Sequence, residues 1–112
     1  MFVLSQSTSY TWPVTVEFPA DGGRTEKQTF DAEFKRLSQT RVKELADAIQ
    51  SGELTDADVA TEVMLGWSGV TDGSDEVPFS QAALKQLLDL PLVASSIVVA
   101  YFGSLSGAKR KN

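Results

Sequence analysis

Any chemistry in this chain would have to run without histidine and cysteine, because neither occurs among its 112 residues. That removes the commonest general base, the commonest metal ligand and the thiolate nucleophile. Carboxylates, Lys, Tyr and Ser remain. The densest acidic cluster is Asp72-Gly-Ser-Asp75-Glu76. A calcium loop needs oxygen ligands at alternating positions and a closing bidentate carboxylate about a dozen residues from the first. Counted from Asp72, that closing position is Ala83. Asp56 and Asp58 sit where a helix begins, and the positive end of the helix dipole accounts for them without a catalytic role. Gly22-Gly23 and Gly103…Gly107 are too sparse to cradle a phosphate, and neither a dinucleotide fingerprint nor a Walker pattern occurs. No nucleophile is paired with a base. The residues describe a protein that is not an enzyme and takes no cofactor and no metal.

The aromatic residues Trp12, Phe18, Phe30 and Phe34 lie among Arg24, Lys27, Lys35, Arg36 and Arg41, a mixture that can stack and neutralise single-stranded nucleic acid. Glu17, Glu26, Asp31 and Glu33 dilute that field, so core packing is the expected role and nucleic acid is not an expected partner. Charge is distributed unevenly around the net value of −5. Residues 1–43 carry +1, residues 44–89 carry −9, and residues 90–112 carry +3, all of it from Lys109, Arg110 and Lys111. An acidic body does not suit a phosphate backbone. The longest apolar run, Leu90–Phe102, is interrupted by Ser95 and Ser96 and is shorter than the ~17–25 residues of a membrane span. Without a basic n-region or an apolar h-region at its start, the chain reads as cytoplasmic.

These side chains need elements to position them, and the periodicity changes along the chain. Trp12, Val14, Val16 and Phe18 alternate with polar residues, a period of two that buries one strand face. Pro19-Ala-Asp-Gly-Gly23 is turn chemistry, and Phe30, Ala32 and Phe34 alternate again beyond it. The two runs predict a β-hairpin, which must pack on something to persist. From Thr40, taken as an N-cap, Val42, Leu45, Ala46 and Ile49 repeat at helical spacing as far as Gly52. Thr55 with Asp58 resembles a capping box and opens a second helix to about Gly66, with an apolar face of Val59, Ala60, Val63, Met64 and Trp67. Ser80 caps a third helix bearing Leu84, Leu87 and Leu88. Residues 92–102 read two ways. Ile97-Val98-Val99 suits a buried strand, whereas Pro91 and the continuation to Leu105 suit a helix that ends near Gly103–Gly107. The helical reading gives an α+β domain, an N-terminal β-hairpin packed on about four helices, spanning 1–112 as one unit with residues 1–10 and 106–112 mobile.

Between Lys85 and Lys109 the only charge is Asp89. A segment that is apolar on most sides must be buried in the core or against another chain. Leu84, Leu87, Leu88, Val98, Tyr101 and Phe102 are therefore the candidate partner-binding residues, for another protein or for a homo-oligomer. Trp67 and Phe79 flank the acidic loop and are expected to be structural anchors pinning the second helix against the third.

From Met64 onward the residues form an ordered pattern: Leu65-Gly66-Trp67-Ser68-Gly69-Val70, the acidic loop, Val77-Pro78-Phe79-Ser80, the Leu-rich helix, then Val93…Ala100-Tyr101-Phe102 and the basic Ala108-Lys-Arg-Lys-Asn112. This pattern resembles the tail assembly chaperones of long-tailed phages and prophages, over about residues 26–112, with Glu33–Leu37 matching more loosely and no counterpart for the first ten residues. The resemblance implies binding of the tape measure protein, recruitment of the tail tube protein, residence in the host cytoplasm and absence from the mature virion. It further implies a programmed frameshift near Lys109–Lys111, yielding a longer form. Two other classes share the size: a structural tail or head–tail joining protein retained in the virion, and a small host regulator.

Overall fold

The alternation from Trp12 to Phe18 folds as one side of a long hairpin in the computed structural model, which describes residues 1–106. β1 (Ser9–Ala20) pairs antiparallel with β2 (Arg24–Lys35) over its whole length, from Ser9↔Lys35 to Ala20↔Arg24. The reversal is a single 3-10 turn, Asp21–Gly23, in which Gly22 and Gly23 sit at φ 76° and 79°. β-carbons are disfavoured there, which is why the turn falls on the glycine pair. Val14, Val16, Phe30, Ala32 and Phe34 are buried on one face, and Thr11, Thr15, Thr29, Asp31 and Glu33 are exposed on the other.

The first helix, α1 (Gln39–Ser51), starts two residues earlier than a cap at Thr40 would place it. Ser38 is the N-cap, its hydroxyl accepting from the backbone N–H of Arg41 at 3.1 Å. Gly52 ends the helix at φ 84° and donates to the Ile49 carbonyl. In α2 (Asp56–Val63) the capping box forms in full. The Thr55 hydroxyl accepts from Asp58 N at 3.1 Å, and the Asp58 carboxylate accepts from Thr55 N at 2.9 Å.

α2 is shorter than the periodicity predicts. It stops at Val63, and Met64–Ser68 forms β3, the third strand of the sheet, in the order β1-β2-β3. Gly66, a poor helix former, lies within this strand directly opposite Glu33. A β-carbon there would lie 2.8 Å from Glu33 Oε1. A bulge between Glu33 and Phe34 then brings Phe34 opposite Met64. Trp67 consequently belongs to a strand and pairs with Ala32. The acidic loop holds a second, two-residue ladder, β4 (Thr71–Asp72) with β5 (Asp75–Glu76).

α3 (Gln81–Leu88) starts at Ser80, whose hydroxyl accepts from Ala83 N at 3.0 Å. α4 (Val93–Leu105) resolves the two readings of residues 92–102 in favour of helix, and α3 and α4 meet at 106°. Among the described residues no single helix is long and apolar enough to cross a bilayer. α4 lies against β1 and α2 and places Val93, Ile97, Val98 and Tyr101 in the core beside Leu45, Val59, Val63 and Leu84. The class is α+β, a strand hairpin extended to a three-stranded sheet and packed on four helices. Ser9 and Tyr10, assigned to the mobile N-terminal stretch on sequence grounds, already belong to β1. The basic end Lys109–Lys111 and the frameshift junction expected there lie outside the described residues.

Candidate functional site

Trp67 and Phe79 meet. Their ring centroids are 5.0 Å apart at an interplanar angle of 83°, and Trp67 also meets Phe30 edge-on at 6.4 Å. The indole N–H donates to the Val77 carbonyl at 2.8 Å. Both rings are half-buried against the core. The pair therefore joins β3, rather than a helix, to the residues just before α3, and it closes the acidic loop at its base.

The six partner-binding candidates separate by depth. Leu84 and Tyr101 are fully buried and Val98 is 9% exposed, whereas Leu87, Leu88 and Phe102 are half-buried and keep accessible surface. Tyr101 is held from two sides: its ring meets Phe34 edge-on at 5.1 Å, and its hydroxyl donates to the Lys35 carbonyl at 3.0 Å. Burial, together with the nearby Tyr10 and Glu62, pushes its phenol up to about 12.

Other residues carry the exposed apolar surface of the late helices. Leu90, Leu92 and Leu105 are each close to half exposed, and Val99 is 72% exposed. Val99 lies two positions beyond the buried Ile97, on the opposite side of α4, so its exposure follows from helical spacing once the helix itself is settled. Leu92 stands at the N-cap of α4 with φ 76°, the one non-glycine residue at positive φ among those described. Between α4 and β1 runs an open groove of about 540 Å³, lined by Leu92, Ser95, Ser96, Val99 and Gly103 on one side and Trp12, Pro13, Thr15 and Glu17 on the other.

A family model described as phage tail assembly chaperone matches residues 1–112. The chain belongs to the phage tail assembly chaperones. No curated protein and no solved structure matches it. The family match reaches further than the motif that pointed to it, since it takes in the first strand of the hairpin and the residues before it. Membership implies interaction with phage tail proteins and points to a non-enzymatic role.

Several acidic residues of the chaperone hold its elements together. Asp58 accepts from the Thr55 backbone N–H, which with the Thr55 hydroxyl holds its carboxyl below the usual range. Arg41 Nε and Nη2 grip Glu62 Oε2 and Oε1 at 2.8 and 2.7 Å, and Nη1 reaches Glu44 at 3.1 Å. This fork ties α1 to α2, lowers the pKa of Glu62 and raises that of Arg41. Glu76 accepts from Gly69 N at 3.4 Å across the acidic loop. Among the described residues no group of three or more acidic side chains is arranged to hold a metal ion.

Proposed function

We propose that this chaperone acts without catalysis in the host cytoplasm, binding the tape measure protein, helping to recruit tail tube subunits, and leaving before the virion is complete. Membership of the tail assembly chaperone family carries this reading. The physical support is apolar surface on an otherwise acidic body. Leu87, Leu88 and Phe102 remain accessible, and Leu90, Leu92 and Val99 add exposed apolar surface on and between the same two helices. A long helical client presents apolar stripes that such a surface can cover. Leu84, Val98 and Tyr101 would then act from beneath, setting the shape of the surface. The same surface serves self-association in the absence of client. A longer, frameshifted form would tether a second domain near the client.

The test is co-expression with the tape measure protein of the same phage. The tape measure protein should stay in the soluble fraction and co-purify with the chaperone, and purified particles should lack the chaperone by mass spectrometry. A tape measure protein equally soluble alone and never co-purifying would overturn the binding role. Stoichiometric chaperone in finished particles would make it a structural component instead. Mass spectrometry of the product of the native gene, expressed with its downstream region, reads out the longer form; its absence would remove the frameshift alone.

A further inference from the structure

Two adjoining hollows lie where the hairpin, the acidic loop and the end of α3 come together. The first, of about 160 Å³, has the buried Val16, Phe30 and Val93 at its base and Phe18, Leu87 and Leu90 around it. The second, of about 270 Å³, lies between Trp67, Val70 and Val77 on the loop side and Ala83, Leu87 and Leu90 on the other. Val70, Thr71, Leu87 and Leu90 line both, so they form the ridge between them. An apolar cavity of about 150 Å³ holds a benzene ring. Each hollow therefore has room for one large side chain.

The backbone beside the second hollow is already used. The Val77 N–H donates to the Val70 carbonyl at 2.8 Å, and the Val77 carbonyl accepts from the Trp67 indole at 2.8 Å. An added strand finds no partner at Val77, which leaves side chains to make the contact. On a helix, side chains at i and i+4 have β-carbons about 5–6 Å apart, the spacing of neighbours that straddle one ridge.

The rim carries one sign of charge. Among the described residues neither hollow is lined by Lys or Arg, and Asp72 lines the second. Asp75 stands opposite Asp72 in the β4–β5 ladder, and Glu76 opposite Thr71. All three carboxylates are exposed and none joins an ion pair among the described residues. On the hairpin, Glu26 is opposite Phe18, while Arg24 on the same face is turned back to the Asp21 carbonyl at 3.3 Å. Such a rim repels acidic flanks and draws basic ones.

We infer that this double hollow receives a basic amphipathic helix, two large apolar side chains one turn apart entering it while flanking Lys or Arg face Asp72, Asp75 and Glu76. The inference rests on the client-binding reading above and specifies which kind of client segment is gripped, and where.

The probe is a synthetic helix of about 18 residues, above the length at which isolated helices are marginal, with Leu pairs four residues apart and Lys on the flanks. Its twin carries Glu in place of Lys. Titrated into the full-length protein, the Lys helix should shift the Trp67 indole N–H resonance. That of Trp12, in the α4–β1 groove, should stay in place. Leu90→Asp, and separately Asp72→Lys combined with Asp75→Lys, should each weaken binding about tenfold with circular dichroism unchanged. About 0.5 M salt should weaken it severalfold. Equal binding of the Glu twin, a shift at Trp12 alone, or both variants binding like the parent would overturn the inference. Variants that lose self-association but still bind the probe would assign the groove to a second copy instead. Co-expression of parent and Leu90→Asp with the tape measure protein separates the two readings. A parent that takes the Lys helix at Trp67 yet never holds the tape measure protein sinks the client reading and leaves the groove. A tape measure protein held equally by parent and variant sinks the groove and leaves the client reading.

Discussion

Replacing Trp67 and Phe79 singly and together would show whether the edge-on ring pair joins β3 to α3 energetically as well as geometrically. A fully buried large ring cut back to Ala costs about 3–5 kcal/mol. Both rings are only half-buried, which places each single variant at about 2–3 kcal/mol. Trp67→Phe keeps a ring against Phe79 and loses the donor to the Val77 carbonyl at 2.8 Å, about 1 kcal/mol. The ring pair itself, with centroids 5.0 Å apart, contributes about 1 kcal/mol beyond its buried area. The double variant should therefore fall short of the sum of the singles by about that amount. Urea unfolding followed by far-ultraviolet circular dichroism is the suitable assay, because Trp67 is itself a fluorophore. Each Ala variant should lower the midpoint by about 1–2 M. A coupling energy within about 0.3 kcal/mol of zero would refute the pairing argument. Single variants as stable as the parent would show that the two rings hold nothing together.

Tyr101 gives a prediction in the alkaline range. Its folded pKa is raised to about 12, so its stabilisation is complete below the ordinary tyrosine value near 10 and is lost as pH climbs towards about 12. Urea midpoints for the parent should fall across that interval more steeply than those for Tyr101→Phe; parallel curves would contradict the buried phenol. Glu62 works in the opposite sense. Its pKa is lowered by Arg41, so its contribution is present above the usual carboxylate range and disappears as pH falls through the folded value. Arg41→Met should flatten that acid limb, and an unchanged acid limb would show that the fork is not formed in solution. Ser80→Ala removes the N-cap of α3 and should cost about 1 kcal/mol, near 4 °C of melting temperature; an unchanged melt would place the start of α3 elsewhere.

The hairpin was legible because each of its signals is local: strict alternation on both sides and a glycine pair between them. The caps at Thr55 and Ser80 and the stop at Gly52 were legible for the same reason. β3 was not. Val59, Ala60, Val63, Met64 and Trp67 satisfy helical spacing, whereas Met64–Ser68 is a strand by pairing with β2, a partner far earlier in the chain that leaves no local signal. At the other end of the chain, charge depletion marked the late segment as apolar but could not tell its inner side from its outer one. Leu84, Val98 and Tyr101 proved to be core, while Val99 and Leu92 carry the exposed surface. The family, in turn, was legible from the order of short elements between Met64 and Phe102 rather than from any reactive group, and the match over 1–112 extends it to the whole chain.

The packing of α4 on β1 ties the order of synthesis to exposure. β1 and β2 leave the ribosome first, yet the helix that covers β1 is the last described element. About 70 residues separate Lys35 from Leu105, and at roughly 5–20 residues per second their translation takes about 4–14 s. Throughout that interval the nascent chain carries Val14, Val16 and Phe34 with no finished lid above them. Two prolines on the outer strand hinder neighbouring nascent chains on the same message from zipping together edge to edge while they wait. This tail assembly chaperone thus meets the hazard of premature association during its own translation, and a ribosome that pauses before Val93 would prolong it.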